Sequence, residues 1–152
     1  MAVVVKHWLL YLYNFWPPFF GAGIKIEYVS PDFREIRVRL KKRPWTTNIV
    51  GIQYGGSIFS MTDPFYMTML MMNLGDGYRV LDKSARISYL KPGKTELLAE
   101  YKLTQVQIDD IKKQADTFGK FEWTVKASVQ DSSGEKIAEV EKVIWIKKLT
   151  KT

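Results

Sequence analysis

The sequence predicts an α+β fold in which an antiparallel sheet encloses one apolar helix, and three observations point to it. Apolar and charged residues alternate over several stretches of strand length. The stretch from Asn48 to Gly75 is the opposite case: between Arg43 and Asp76 its one formal charge is Asp63, set among Phe, Tyr, Met and Leu. With 152 residues, 46% of them apolar, the chain is long enough to bury an ordinary core as a single domain. A helix apolar on nearly every side has to be enclosed, and one curved sheet covers only part of it. A second sheet, from another subunit, is the natural complement.

Taken in order, Trp8, Tyr11, Leu12, Phe15 and Trp16 recur at helical spacing, so the first 20 residues read as an N-terminal amphipathic helix from about Lys6, ended by Pro17-Pro18. Packing on the body of the domain is its expected role, ahead of a lid or a membrane-surface anchor. Ile24, Ile26 and Tyr28, then Ile36, Val38 and Leu40, mark two half-buried strands joined by Ser30-Pro31-Asp32. Beyond the central stretch, Arg79 to Leu90 and Thr95 to Leu103 read as strands forming a hairpin across Lys91-Pro92-Gly93-Lys94. Thr104 with Gln107 signals a capping box, and Ile108, Ile111, Ala115 and Phe118 share one helical face before Gly119. Phe121 to Val129 alternates strictly. The last strand, Lys136 to Lys147, alternates on Ala138, Val140, Ile144 and Ile146, and Lys142 interrupts it, so a bulge or an edge is expected there. The tail from Lys148 is expected to fray.

Composition removes several function classes. Without cysteine there is no thiol catalysis, disulfide or cysteine metal site, and the single histidine, His7, provides no histidine cluster; no metal is expected. The net charge of +7 suits an anionic partner. Yet Arg37, Arg39, Lys41 and Lys126 alternate with apolar residues as a solvated sheet face does, and no aromatic-basic module for nucleic acid is present. The apolar runs 8–16 and 58–74 are short of the ~20 residues a spanning helix needs, so stable membrane insertion is not expected and a cytoplasmic location is.

Two backbone readings compete in the central stretch. Asp63-Pro64 has the form of a helix start, with aspartate capping backbone donors. Alternatively the helix begins near Ser57 after Gly55-Gly56, and Pro64 kinks it. On the second reading the free N–H groups at Gly55 and Gly56 suit an anion or a polarised carbonyl oxygen. Asp63 lies eight residues beyond Gly55, ~12 Å along a helix axis, too far for both to act on one carbonyl within one chain. Two subunits must then supply them.

Asn48-x-x-Gly51-x-x-Tyr54-Gly55-Gly56 followed by Asp63 resembles the hotdog-fold acyl-CoA thioesterases of the phenylacetyl-CoA type, whose pattern is Asn-x-x-Gly-x-x-His-Gly-Gly with an acid nine positions after the histidine. The likeness extends over about 130 residues, through Gly21-Ala-Gly-Ile, Ser30-Pro-Asp-Phe-Arg-Glu-Ile, Met61-Thr-Asp-Pro-Phe-Tyr and Tyr89-Leu-Lys-Pro-Gly. It implies a hotdog fold, a curved antiparallel sheet wrapped around the central helix, paired as a homodimer or dimer of dimers with active sites at the interface. It implies hydrolysis of an acyl-CoA thioester, with coenzyme A as part of the substrate and no separate cofactor. Asp63 falls at the nucleophile or general base, the Gly55 N–H at the oxyanion donor, and Asn48 with Tyr54 beside the thioester. Gly56, Gln53, Phe59 and Tyr66 are the expected substrate contacts, and Lys91 and Lys94 the expected partners of coenzyme A phosphates. Tyr54 stands where the family places histidine, and Met67 where some relatives carry a hydroxyl. The alternative is a non-catalytic acyl-CoA or fatty-acyl binding protein of the same fold.

Overall fold

The computed structural model describes residues 6–149. Six strands, β1 (Ile24–Val29), β2 (Glu35–Leu40), β3 (Tyr78–Tyr89), β4 (Leu97–Lys102), β5 (Lys120–Asp131) and β6 (Lys136–Lys148), form one sheet in the order β1-β2-β4-β5-β6-β3. Every neighbouring pair is antiparallel. The period-2 alternation places Ile36, Val38, Leu40, Leu97, Tyr101, Val129, Val140, Ile144 and Ile146 on the inner face, where they are buried.

The central stretch lies against that face as two helices, α2 (Gly55–Ser60) and α3 (Phe65–Leu74). Phe65 stacks on Tyr101 of β4, and Tyr66 meets Tyr101 and Trp123 of β5 edge-on. Met61, Met69 and Leu70 are fully buried, Met67 and Met72 pack partly against the core, and Met71 is exposed. The second backbone reading is the nearer one. The helix begins at Gly55, earlier than Ser57, and it breaks over residues 61–64, where a kink was expected. Pro64 offers no N–H to the Ser60 carbonyl, which instead accepts from Asp63 N–H in a tight turn. The Asp63 carboxylate caps no backbone donor among the described residues.

Three further expectations are corrected. The N-terminal segment is a 3₁₀ helix, His7–Phe15, and Pro17-Pro18 open a second short helix, α1 (Pro17–Ala22), instead of ending the first. Side chains three apart eclipse in a 3₁₀ helix, which aligns Tyr11 and Asn14 over β1. Asn14 donates to the Ile26 carbonyl at 3.1 Å and accepts from its N–H at 2.7 Å, and the Tyr11 hydroxyl accepts from Val29 N–H, so the segment covers one sheet edge. Second, β3 and β4 form no hairpin. The chain crosses from β3, which pairs only with β6, to β4 between β2 and β5, and the N–H groups of Leu90 and Lys91 bond to Ile137. Third, Lys142 marks neither a bulge nor an edge. β6 lies between β5 and β3, and the irregular positions are Lys83 in β3 and Ile137 in β6.

Helix α4 (Gln105–Phe118), which meets α3, β5 and β6, buries Ile108, Ile111 and Ala115, whereas Phe118 on its last turn stands in solvent, contrary to expectation. The Thr104–Gln107 capping box is formed in both directions. Arg39 pairs with Glu27 and Glu96, Lys126 with Glu139, and Arg37 lies over Tyr28, the pattern of a solvated face. No helix among the described residues is long and apolar enough to cross a membrane.

Candidate active site

The loop before α2 is built by Asn48. Its Oδ1 accepts from the N–H groups of Val50 and Ile52, and its own N–H donates to the Ile52 carbonyl, which closes a tight turn. The chain then runs through Gln53, which is fully enclosed: its N–H donates to the Gly93 carbonyl and its Nε2 to the carbonyls of Leu40 and Thr95. Gln53 Oε1 is buried without a partner. Gln53 therefore ties α2 to the 91–94 turn and the end of β2.

Gly55 and Gly56 open α2. Neither N–H has an acceptor among the described residues, as the first turn of a helix allows. Tyrosine side chains approach both positions closely. A Cβ on Gly56 would lie 2.4 Å from the Tyr54 ring, and one on Gly55 3.1 Å from the Tyr89 hydroxyl, which donates to the Gly55 carbonyl at 2.9 Å. Burial and the neighbouring Tyr54 push the Tyr89 phenol above its ordinary value, so it stays a donor.

These residues border a cleft of about 410 Å³ between the start of α2 and the end of β3, lined by Asn48, Gln53, Gly55, Ile58, Tyr89 and Lys91 among others. The sequence-predicted residues Asn48, Gln53 and Gly55 are thus brought together, with Tyr54 and Gly56 adjoining. Lys91 reaches the cleft and pairs with Glu135, while the Lys94 carbonyl accepts from Lys42 Nζ. Phe59 packs partly into the core. Tyr66 does not face the cleft: it is buried against Tyr101 and Trp123, and burial raises its phenol pKa. A second depression, of about 440 Å³, lies on the outer sheet face around Arg37, Arg39 and Glu100, opposite α3 and away from Asp63.

Asp63 is apart from the cleft within one chain. Its Oδ1 accepts from Lys142 Nζ at 2.7 Å, and the same ammonium donates to Asp82 Oδ2 at 3.0 Å. The Lys142 side chain is 2% exposed, Asp82 23% and Asp63 61%, so the group runs from the sheet interior to the surface. Burial, and secondarily the nearby Asp63, raises the proton affinity of Asp82 against the opposing pull of Lys142. Asp82 Oδ1 is buried without a partner. Sequence reasoning missed both Lys142 and Asp82. The available signal was Lys142 itself, a charge in the inward register of an otherwise apolar strand.

No protein of curated function matches the chain. Among solved structures, PA5026 of Pseudomonas aeruginosa, a protein of unknown function described as a probable thioesterase, is 21% identical with a TM-score of 0.74, over 84% of this chain and 85% of that one. The thioesterase HI1161 of Haemophilus influenzae is 12% identical with a TM-score of 0.68, over 97% and 94% of the two chains. A mutant of the thioesterase PA1618 of Pseudomonas aeruginosa is 10% identical with the same TM-score, over 96% of each chain. At such identities the likeness is one of fold, the hotdog fold that the central motif led us to expect. The model of the domain of unknown function DUF4442 matches residues 6–146, nearly the whole described chain, and the protein belongs to that family.

Proposed function

We propose that the protein hydrolyses an acyl-CoA thioester at a site completed by two copies of the chain. The observation that carries this reading is the state of Asp63: one carboxylate oxygen is held by a buried ammonium, and the other, Oδ2, accepts no hydrogen bond among the described residues on a side chain that is 61% exposed. A fixed, unspent carboxylate at the surface of an apolar helix pair is suited to base or nucleophile chemistry.

As general base, Asp63 Oδ2 takes a proton from water while the water oxygen bonds to the thioester carbonyl carbon. The carbonyl oxygen becomes an oxyanion, for which the unpaired Gly55 N–H of the partner copy is the donor. When the carbon–sulfur bond breaks, the electron pair leaves on sulfur, and the thiolate recovers the proton held by Asp63. As nucleophile, the same oxygen bonds to the carbonyl carbon first, the carbon–sulfur bond breaks and coenzyme A leaves as thiolate; water then cleaves the resulting anhydride to the free acid and the Asp63 carboxylate, and its spare proton goes to the thiolate. In this reading Asn48 and Tyr54 position the thioester beside the Gly55 N–H, and Lys91, which borders the cleft, and Lys94 take the coenzyme A phosphates. A homodimer follows from the separation of Asp63 from the cleft within one chain.

The test is hydrolysis of a panel of acyl-CoA thioesters, from short aliphatic to arylacetyl, by wild type and Asp63→Asn. Turnover lost by at least about 100-fold in the variant, with substrate still bound, supports the assignment; turnover that survives overturns it. A specific observation favours the second reading, an acyl-CoA or fatty-acyl binding protein: a tyrosine, Tyr54, the N-cap of α2, stands where the thioesterases that the motif resembles carry histidine. Tight binding of acyl-CoA without hydrolysis by wild type selects it.

A further inference from the structure

The Asp63–Lys142–Asp82 group holds two carboxylates and one ammonium, drawn from the α2–α3 junction, β6 and β3. A lysine in the middle of a sheet, on the face that packs α3, is an unusual occupant. Its neighbours in register on β6, Val140 and Ile144, are fully buried and apolar, and its cross-strand partners are Val125 and Ala85. An apolar side chain of similar length would satisfy that position for packing alone. What the lysine adds is a charge delivered to one atom, Asp63 Oδ1, and shared with a second carboxylate behind it.

We propose that Lys142 and Asp82 are positioning residues of the active site: the Lys142 ammonium pins Asp63 by Oδ1 and leaves Oδ2 for the reacting atoms, while Asp82 holds the same ammonium from behind and shares its charge. This rests on the reading of Asp63 as base or nucleophile. The charges require both parts. A carboxylate paired alone with a buried ammonium is a weak base, because the cation favours its ionised form; a second carboxylate on the same cation opposes that effect. The other titratable group near Asp63 is Tyr101 of β4, which faces it from the inner sheet surface. Its phenol donates to the Met61 carbonyl at 2.8 Å and burial holds it neutral.

The two partners therefore act in opposite directions on Asp63. In Lys142→Met the two carboxylates face each other without a cation, which favours proton uptake; in Asp82→Asn the ammonium belongs to Asp63 alone, which disfavours it. The experiment follows the Asp63 side-chain carboxyl by carbon-13 NMR titration in full-length wild type, Lys142→Met, Lys142→Arg and Asp82→Asn, with pH profiles of kcat/KM on a hydrolysed acyl-CoA in parallel. The expected result is a titration moved up in Lys142→Met, moved down in Asp82→Asn and nearly restored in Lys142→Arg, with the acidic limb of each profile following. A merely structural role would lower activity without moving the midpoint, and midpoints that stay put or move together in folded variants overturn the proposal. Should Lys142→Met not fold, Asp82→Asn and Lys142→Arg carry the same decision, since the first must move the midpoint down and the second must keep it. If NMR shows the opposed shifts while no acyl-CoA is hydrolysed, the positioning holds and the thioesterase reading fails.

Discussion

At the scale of single residues, the interior is organised around a few polar atoms whose partners lie far along the chain. Tyr101 is fully buried, and its hydroxyl donates to the Met61 carbonyl at the end of α2. The bond holds the helix break that presents Asp63. Tyr101→Phe keeps the ring stacked on Phe65 but strands that carbonyl in the core, so unfolding by urea should show a loss of about 1–3 kcal/mol. Gly55 invites a different substitution. It occupies the first helical position, where the backbone accepts proline and the N–H is lost, so Gly55→Pro should abolish thioester hydrolysis, with a fall in melting temperature where its Cβ crowds the Tyr89 hydroxyl.

At the scale of elements, the sheet is held at its turns and helix ends. The Thr104–Gln107 box satisfies the first turn of α4, which packs against β5 and β6; Thr104→Ala should cost about 1 kcal/mol, read as a lower denaturation midpoint with an unchanged slope. The β1–β2 turn is organised by Asp32, whose carboxylate accepts from Ser30 Oγ and from Arg34. The Ser30 hydrogen bond first, and the Arg34 contacts second, lower its pKa from the ordinary 3.8 to about 2. A carboxyl whose pKa is depressed on folding stabilises the fold above its unfolded value, and that contribution is lost as pH falls through the folded value. Asp32→Asn should therefore lower the melting temperature at neutral pH, and the gap to wild type should close between about pH 4 and about pH 2.

At the scale of the whole molecule, the arrangement divides one chain's chemistry between two places. The cleft at the start of α2 offers N–H donors, and the Lys142 group offers the carboxylate. β3 is a sheet edge, twelve residues long, with most of its side chains outside the core. If two copies share each site, a mixture of Asp63→Ala and Gly55→Pro chains regains activity that neither has alone. Random reassociation gives half mixed dimers with one intact site of two, hence about a quarter of wild-type activity. Recovery after mixing and refolding, with a two-chain mass in sedimentation, is the expected result; no recovery from dimers would place both groups on one chain.

The sequence by itself determined what depends on neighbours a few residues away. Alternation located β1, β2, β5 and β6, the Thr104–Gln107 spacing located α4, and the lone charge in an apolar stretch singled out Asp63. It also placed Asn48, Gln53 and Gly55 in one motif, and they border one cleft. Where local signals misled, the deciding contact was distant. Two consecutive strands with a Pro-Gly turn have the form of a hairpin, yet β3 gains its partner from β6 and β4 from β2 and β5, pairings no local pattern encodes. Lys142 broke the apolar alternation, and alternation alone offers only a bulge or an edge as the cause. Tertiary structure supplied another: partners 79 and 60 residues away, Asp63 and Asp82, which make a buried ammonium tolerable at a position where the strand's own sequence would place an aliphatic side chain.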